Sequence, residues 1–459
     1  MILLRKKEIV IVLFLIFSTY LFSQDITGDW KGTVDIRGSK LDIAFHIEKV
    51  DTIYTTTLDI PAQGLNGAKA NNTKVDNASV IITFSDLKLT YEGSLNDNDE
   101  IIGNMKQGGF PIPLNLRKGS VILNRPQEPK PPFNYYSEEI TFVSNADNVS
   151  LKGTLTLPEK NGQFPLVIIV SGSGPQNRDG DMFGHKPYLV LADHLTKNGI
   201  AVFRFDERGV GESGGDFGKV TIELSSLDVK SAIDFLKERK EINNAKIGLI
   251  GHSIGGIVTP KVASENKKIS FLVLLAAPGV PGDQLMLSQK AAFEKDMGLN
   301  ELQIQQGQKI VKEAYDIIKE AKLDNQSLKD SIHSFYKNKY GNLFPENQRK
   351  ALVNQITSYE VASFIRSRPS EYLEKIKTPV LALNGDKDLQ VLSKENLTAI
   401  KTALDKAGNK NVEIKELKSL NHLFQEATRG SLGEYSEIEQ TFSPIALDVL
   451  TAWIKEQVK

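Results

Sequence analysis

The chain divides into two regions that differ in how hydrophobic and polar positions alternate. Over residues 24–124, apolar and polar side chains alternate with a period of two, and clusters of Asn, Asp and Gly such as 95–99 interrupt the alternation. A period of two is typical of strands with one buried face, and Asn, Asp and Gly favour the turns between such strands. The pattern therefore predicts a small all-β domain, either an antiparallel sandwich or a half-open barrel.

Beyond this region the pattern changes. Residues 125–136 contain four prolines, which cannot donate to a strand ladder, so this stretch is predicted to be a semi-rigid linker. From 137 to 459, an entry hairpin is followed by unbroken apolar runs that alternate with helical stretches; the runs are 166–170, 201–205, 247–250, 271–276 and 380–383. Continuous Val, Ile and Leu strands separated by helices predict an α/β fold with a doubly wound, mostly parallel sheet.

One long segment interrupts this rhythm. Residues 283–374 carry apolar side chains at helical spacing and lie between two of the predicted core strands. Because α/β enzymes often carry a cap at such a position, we predict a helical lid over the site. The alternative is a dimerisation arm, which would make the protein a homodimer.

Composition and charge exclude several classes of function. The chain has 56 Lys and Arg against 57 Asp and Glu, and this net charge of −1 gives no argument for binding nucleic acid. It has no cysteine, which removes thiol nucleophiles, disulfides and cysteine-based metal sites from consideration. The lack of cysteine also excludes a lipid-anchored bacterial lipoprotein.

Residues 1–23 have the features of an export signal. Basic residues at Arg5–Lys7 precede the apolar run Ile9–Phe17, and Ser23 offers a small residue for cleavage before Gln24. An uncleaved membrane anchor is the alternative, but the apolar run is shorter than the roughly 20 residues that a spanning helix needs. We expect export to the periplasm or the outside, without stable membrane insertion after removal of the signal.

The strongest candidate for chemistry is Ser253. It lies in a Gly-x-Ser-x-Gly pattern, residues 251–255, between a strand-like run and a helix-like run. Glycines at both ends let the strand and the helix approach closely, while the serine occupies a strained turn that exposes its hydroxyl group. The five-residue pattern alone is weak, but this strand–turn–helix context predicts a nucleophile.

A serine nucleophile needs a base and an acid that orients the base. His422 follows the strand-like run 412–417 near the C-terminus and is the best candidate for the base. The acid comes from the loop after the run 380–383, where Asp388 is favoured over Asp386. Of the other histidines, His46 is expected to be structural, and His185 to be able to line the site.

An oxyanion pocket needs two N–H donors that are held in place before the reaction. The first is predicted to be the backbone N–H of Ile254, at the start of the helix that follows the serine. The second is predicted to be that of Ser173, in the Gly- and Ser-rich turn 171–175 directly after an apolar strand.

Together these motifs resemble a known family. Ser253, Asp388 and His422 follow the chain order of α/β-hydrolases, and residues 171–175, 205–213, 251–256 and 384–388 resemble a group of secreted bacterial carboxylesterases with an N-terminal β-domain. That group is similar to serine aminopeptidase-type hydrolases. The resemblance implies a cap-bearing hydrolase of short acyl esters with no metal or organic cofactor, and it supports Asp388 as the acid. Ile254 departs from the pattern, since many relatives have glutamate after the serine.

The sequence therefore predicts a serine hydrolase that acts on a small-molecule ester through an acyl-enzyme. Residues 206–213 are expected to be scaffold for the site. One alternative is a peptidase of the serine aminopeptidase type, which would need an acidic residue to hold the amino group of its substrate. Another is a catalytically silent protein that binds a wall polymer or a partner.

Overall fold

The computed structural model describes residues 25–36, 39–63, 65–107, 110–121, 123–321, 324–341, 343 and 345–459. The predicted export signal lies outside these residues. The chain forms two compact units, one comprising Met1–Ile60 and Leu65–Val121 and the other Pro61–Gly64 and Ile122–Lys459. No helix among the described residues combines the length and the apolar character needed to cross a membrane.

The first unit is built around an antiparallel sheet, in the order β4-β3-β2-β1-β10-β8-β7-β6-β5, with β9 paired to β8. Its strands in the described part are β1 (Gly28–Ile36), β2 (Ser39–Val50), β3 (Ile53–Ile60), β4 (Leu65–Lys69), β5 (Asn72–Asp76), β6 (Ser79–Phe84), β7 (Leu89–Leu95), β8 (Glu100–Gln107), β9 (Phe110–Pro113) and β10 (Leu116–Lys118). The predicted all-β domain is thus confirmed.

This sheet curls so that strands near its two ends approach each other. The hydroxyl of Thr73 in β5 donates to that of Thr56 in β3 at 2.8 Å, although β3 and β5 stand far apart in the sheet order. The concave face is filled by Trp30, Phe45 and Tyr91, which are fully buried. The result is a half-barrel, because alternate side chains of each strand point into one core.

His46 is a structural residue of this unit, as expected. Its Nδ1 lies 2.7 Å from Oδ1 of Asp29 and its Nε2 lies 2.9 Å from Oδ2 of Asp59, so it bridges the three neighbouring strands β1, β2 and β3. Burial alone would lower the pKa of His46, but the hydrogen bonds to the two carboxylates raise it.

The second unit contains a sheet in the order β11-β12-β14-β13-β15-β16-β17-β18. Its strands are β11 (Tyr136–Val143), β12 (Ser150–Leu157), β13 (Phe164–Val170), β14 (Ala201–Phe205), β15 (Ile242–His252), β16 (Ile269–Leu275), β17 (Val380–Gly385) and β18 (Val412–Leu417). β11 and β12 are antiparallel to their neighbours, and all the other pairs are parallel. The predicted α/β-hydrolase fold class is confirmed.

The helices of this unit pack on both faces of the sheet or form the insertion. They are α1 (Pro187–Lys197), α2 (Ile222–Leu236), α3 (Gly255–Glu265), α4 (Gly282–Asp296), α5 (Glu301–Glu320), α6 (Asn325–Tyr340), α7 (Glu346–Ile356), α8 (Tyr359–Arg366), α9 (Ser370–Leu373), α10 (Ser393–Lys406), α11 (Leu432–Tyr435) and α12 (Pro444–Gln457). Helices α4 to α9 lie between β16 and β17, where the sequence predicts a helical segment. Buried residues of α5 to α8, including Tyr315 and Tyr336, form a separate hydrophobic cluster.

The proline-rich stretch 125–136, predicted to be a semi-rigid linker, makes hydrogen bonds with loops of the second unit. The guanidinium of Arg125 donates to the backbone carbonyl groups of Gly184 and Ser436, both at 2.8 Å. The side chain of Gln127 donates to the carbonyl of Phe442 at 2.7 Å and accepts from the N–H of Thr441 at the same distance. Arg125 and Gln127 therefore hold this segment, which belongs to the second unit, against other loops of that unit.

Candidate active site

Ser253 occupies a strained turn at the carboxyl end of the central strand β15. Its φ angle is +53°, in the left-handed region that non-glycine residues rarely adopt. A Cβ at Gly251 would lie 2.3 Å from the carbonyl oxygen of Gly255, and one at Gly255 would lie 2.3 Å from that of Val170. Only glycine fits at either position, so these close contacts hold the serine at the apex between β15 and α3.

His422 and Asp388 meet although 34 residues separate them in the chain. Nδ1 of His422 lies 2.8 Å from Oδ2 of Asp388, and both side chains are buried. The other carboxylate oxygen of Asp388 accepts hydrogen bonds from the backbone N–H groups of Gln390 (2.8 Å) and Val391 (2.9 Å). The carboxylate is therefore fixed, and it favours the imidazole tautomer that carries its proton on Nδ1.

The competing carboxylate, Asp386, has a different environment. It is exposed, and its Oδ1 accepts from the backbone N–H of Ser419 at 2.6 Å. This contact closes a turn between the loops that follow β17 and β18, and Asp386 does not line the cleft described next.

A cleft of about 230 Å³ brings the predicted residues together. Ser253, His422 and Ser173 all line it. A Cβ at Gly172 would lie 3.1 Å from Cβ of Ser253, so the turn after β13 is in contact with the serine. The cleft is thus formed by the loops that follow β13, β15, β17 and β18 in the parallel part of the sheet, the edge where α/β folds place their ligands.

Two N–H groups of the turn after β13 are already bonded within the protein. The N–H of Gly172 donates to the hydroxyl of Tyr188 at 3.1 Å, and that of Gly174 donates to Oε1 of Glu360 at 2.9 Å. In the described part of the chain, the N–H groups of Ser173 and Ile254 donate to no protein acceptor. These two are the groups predicted to form the oxyanion pocket, and each lies next to a residue that contacts the serine turn.

Sequence reasoning missed a buried relay that begins at Gly172. Tyr188, which accepts from Gly172, lies 3.0 Å from Nδ1 of His252, and Nε2 of His252 lies 3.0 Å from the carbonyl oxygen of His422. A carbonyl can only accept, so Nε2 carries the proton of His252 and Nδ1 accepts from the hydroxyl of Tyr188. Burial, with a smaller effect of His422, lowers the pKa of His252 to about 3, which keeps it neutral.

Two glutamates near the turn 171–175 were also missed. Glu207 accepts a hydrogen bond from the hydroxyl of Ser171, and burial raises the pKa of Glu207 to about 8. Burial also raises the pKa of Glu360, which α8 of the insertion places against Gly174. Both line a small cavity of about 30 Å³, otherwise mostly apolar, that reaches Gly172 and Ile254. No local motif marks these residues, because Glu360 and Gly174 are 186 positions apart.

The loop 206–213 is held in place by ion pairs on either side of Glu207. Arg208 forms two hydrogen bonds of 2.6 Å with the buried carboxylate of Asp228 and another of 2.6 Å with Asp147. Asp206 accepts from the guanidinium of Arg178, with its two oxygens at 3.0 and 2.7 Å. These contacts fit the expected role as scaffold, with Glu207 between them facing the small cavity.

His185 does not line the cleft, contrary to expectation. It is fully buried, with Nδ1 at 2.9 Å from the hydroxyl of Thr441 and Nε2 at 2.8 Å from the carbonyl of Tyr435. Burial lowers its pKa to about 4. The loop position suggested access to the site, but these two partners turn the ring into the protein.

Comparison with known proteins places this geometry in context. A family model described as Hydrolase_4, serine aminopeptidase, S33, matches residues 185–426, more than half of the 459-residue chain. The chain is 28% identical over 275 residues to a Thermotoga maritima protein named esterase EstD, and this alignment covers 60% of the chain. It spans only 58% of that relative's own length.

Other similarities extend over the same region. An Escherichia coli protein named as an uncharacterized 31.7 kDa protein in the traX-finO intergenic region is 26% identical over 239 residues, which cover 51% of this chain and 76% of that protein. Among solved structures, the Pyrococcus furiosus esterase Pf2001 is 20% identical with a TM-score of 0.42, covering 70% of this chain and 93% of that one.

The two buried neutral histidines predict a dependence of stability on pH. The pKa values of about 4 for His185 and about 3 for His252 lie below the roughly 6.5 of an unfolded histidine. Their contribution is therefore complete above about pH 6.5 and is lost as the pH falls towards 4, since the unfolded chain then binds more protons. Replacing His185 by Gln should flatten the pH dependence of the unfolding free energy between pH 5 and 6 by up to about 1.4 kcal/mol per pH unit.

Urea unfolding followed by circular dichroism at a series of pH values measures this difference. Thr441→Ala is the matched control, because it removes a partner of the imidazole but keeps the imidazole itself. It should lower stability at every pH and leave the slope unchanged. Equal slopes for wild type and His185→Gln would contradict the assignment of a buried neutral histidine.

Proposed function

The chain belongs to the family described as Hydrolase_4, serine aminopeptidase, S33, and we propose that it is a serine hydrolase cleaving short acyl carboxylic esters. One observation carries the proposal. His422 and the strained Ser253 line the same cleft, and the buried Asp388 lies 2.8 Å from His422. A nucleophile, a base and an orienting acid are the three parts that acyl transfer needs.

The proposed reaction proceeds through an acyl-enzyme. His422 takes the proton of Ser253 through Nε2 as the serine oxygen attacks the ester carbonyl carbon. Asp388 holds the Nδ1–H of the imidazole and stabilises the imidazolium ion that forms. His422 then gives the proton to the leaving alcohol, and it later activates a water molecule that hydrolyses the acyl-enzyme.

The tetrahedral intermediate is proposed to be stabilised by the backbone N–H groups of Ile254 and Ser173. Their lack of acceptors among the described residues supports this role, because a preorganised donor must be free when the oxyanion forms. The neighbouring N–H groups of Gly172 and Gly174 are already bonded, which fixes the turn that presents Ser173.

A short acyl group suits the small cavity that Ile254 lines. Its volume of about 30 Å³ corresponds to two or three water molecules, at roughly 10–15 Å³ each on the same measure. Most of its lining is apolar, including Val220, Ile222 and Val258.

We further infer that residues 283–374 act as a lid, because helix α8 of this segment supplies Glu360 to the lining of the cavity. We also infer that residues 1–23 direct export.

The first test is Ser253→Ala. Turnover of 4-nitrophenyl acetate should fall by at least about 10⁴-fold, because the covalent step is lost. Ser264→Ala, at the far end of the same helix α3, is the control and should retain the wild-type rate within about twofold. A fluorophosphonate probe should label wild type at Ser253 only; absence of both turnover and labelling would favour a silent binding protein instead.

The second test separates the two candidate acids. Asp388→Asn should lower kcat by on the order of 10⁴-fold, because an amide stabilises neither the correct tautomer nor the charged imidazole. Asp386→Asn is the matched control at an exposed turn and should lower kcat by less than about tenfold. If the two variants ranked in the opposite order in steady-state assays, the assignment of Asp388 would be wrong.

A second candidate function, an aminopeptidase, is favoured by one specific observation. Glu207 and Glu360 place two carboxyl groups in the cavity proposed for the acyl group, where the ammonium group of an aminoacyl substrate would lie. Both carboxyl groups have a raised pKa, which an ammonium ion would lower again. Ester hydrolysis remains the favoured function, because most of the lining of the small cavity is apolar and an ammonium group would lose its hydration on entering it.

Comparison of an acetyl ester with an alanyl anilide distinguishes these functions. We predict a kcat/KM at least about 10³-fold higher for 4-nitrophenyl acetate than for alanine 4-nitroanilide. Faster cleavage of the anilide, with a selective loss in Glu360→Gln, would instead establish the aminopeptidase. Glu371→Gln, on the neighbouring helix α9 and outside the lining of the cavity, serves as the control for removing a carboxylate from the insertion.

A further inference from the structure

The geometry assigns the two halves of an ester substrate to two spaces at the serine turn, an assignment that rests on the proposed function. Ser253 lines the larger of the two, and its neighbour Ile254 lines the smaller. His422 lines the larger cleft and is absent from the lining of the small cavity. As general acid it must reach the oxygen of the departing alcohol. The alcohol therefore leaves through the cleft of about 230 Å³, and the acyl group occupies the cavity of about 30 Å³.

Among the described residues, the cleft carries one buried polar atom that lacks a partner. Oε1 of Gln176 is buried and accepts no hydrogen bond from any described residue, while its Nε2 is held by the carbonyl of Ser173 at 2.8 Å. A buried acceptor of this kind is costly unless a ligand supplies the missing hydrogen bond. Asp181 also lines the cleft and is half-buried, so its carboxylate is a second acceptor that a ligand can reach.

The cleft also has an apolar wall, which is formed by an aromatic residue in a strained backbone conformation. Phe183 lines the cleft with a φ angle of +52°, in a tight turn where Met182 and His185 exchange backbone hydrogen bonds of 3.0 and 2.9 Å. Its ring packs edge-on against Tyr435 at 4.9 Å between centroids. The buried His185 anchors the turn, and strain maintained by such anchoring is typical of ligand sites.

We propose that this cleft binds a neutral, polyhydroxylated ring, so that the substrate is a short acyl ester of a monosaccharide unit. Hydroxyl groups can donate to Oε1 of Gln176 and to Asp181, and can accept from the side-chain amide of Gln390, whose Nε2 has only a long contact of 3.3 Å with Tyr435. The apolar face of the sugar ring would lie on Phe183. A few oriented polar groups with one aromatic wall are what confers specificity in small-molecule sites.

A cationic alcohol such as choline is the alternative occupant of this cleft. Lys186 acts on Asp181 with an opposite charge, but Asp179 and Glu128 act on it with like charges. The unpartnered Oε1 of Gln176 favours a hydroxyl donor instead, and acetylcholine in the experiment below tests the alternative.

The experiment compares two esters of primary alcohols on six-membered rings: methyl 6-O-acetyl-glucopyranoside and cyclohexylmethyl acetate. The wild-type protein should prefer the sugar ester by on the order of 100-fold in kcat/KM, because an analogue without hydroxyl groups leaves the polar groups of the site unpaired. Asp181→Leu and Gln176→Leu should each reduce this ratio at least tenfold. Asp234→Leu, an exposed aspartate on α2, is the matched control and should leave the ratio unchanged.

The outcomes separate this inference from the function on which it rests. No hydrolysis of 4-nitrophenyl acetate by wild type would overturn the proposed esterase itself. Hydrolysis of that ester with a sugar-to-cyclohexyl ratio near one would overturn only the assignment of the cleft, as would a preference for acetylcholine over both. A ratio that stays near 100 in both leucine variants would show that other residues recognise the sugar.

Discussion

The close approach of α3 to the strands β13 and β15 is the constraint on which the candidate site depends. Added Cβ atoms at Gly251 and Gly255 would meet backbone oxygens at 2.3 Å, so the helix can start where it does only because both positions lack a side chain. This proximity holds Ser253 in the left-handed region, and Ile254 follows it directly as the N-cap of α3. The strain is maintained because strand pairs on both sides of β15 fix the strand.

The residue before the serine, His252, borders the cleft and is itself buried. It links the backbone of His422 to Tyr188 and so to Gly172, three segments that are distant in the chain. The carbonyl at one end of this relay can only accept and the backbone N–H at the other end can only donate, so the donor and acceptor of each hydrogen bond between them are fixed. The relay therefore holds the loop of the candidate base and the turn that carries Ser173 in a fixed relation, using a histidine that stays uncharged.

The sequence predicted the fold class and much of the candidate site because those features are recorded locally. Alternation with a period of two predicted an all-β domain and left open whether it is a sandwich or a half-open barrel, and unbroken apolar runs predicted the parallel sheet. Gly-x-Ser-x-Gly is a steric requirement contained within five residues. Loop position favoured Asp388 as the acid, and the resemblance to a family supported it. The nearby Asp386 differs from Asp388 in burial and in the loop that it contacts, and both are properties of the folded chain.

Other features depend on contacts that no local pattern encodes. Tyr188 and His252 are 64 positions apart, and the anchoring of Arg125 reaches Ser436 across 311 positions. Proline content predicted a semi-rigid linker at residues 125–136 and gave no sign of these contacts. His185 was misjudged for the same reason, since loop position says nothing about which way a ring turns when buried partners such as Thr441 are available.

The hydrogen bond between Glu360 and the backbone of Gly174 limits which insertions can replace this one during evolution. Insertions of this kind look interchangeable, because they enter and leave between two strands without disturbing the sheet. Here one residue of the insertion holds a backbone N–H of the turn that carries Ser173, so an exchanged or shortened insertion would also remove a support of that turn. Recombination at the boundaries of the insertion would thus preserve the fold while loosening the wall beside the serine. The insertion and the turn would therefore have to be exchanged together to keep this hydrogen bond.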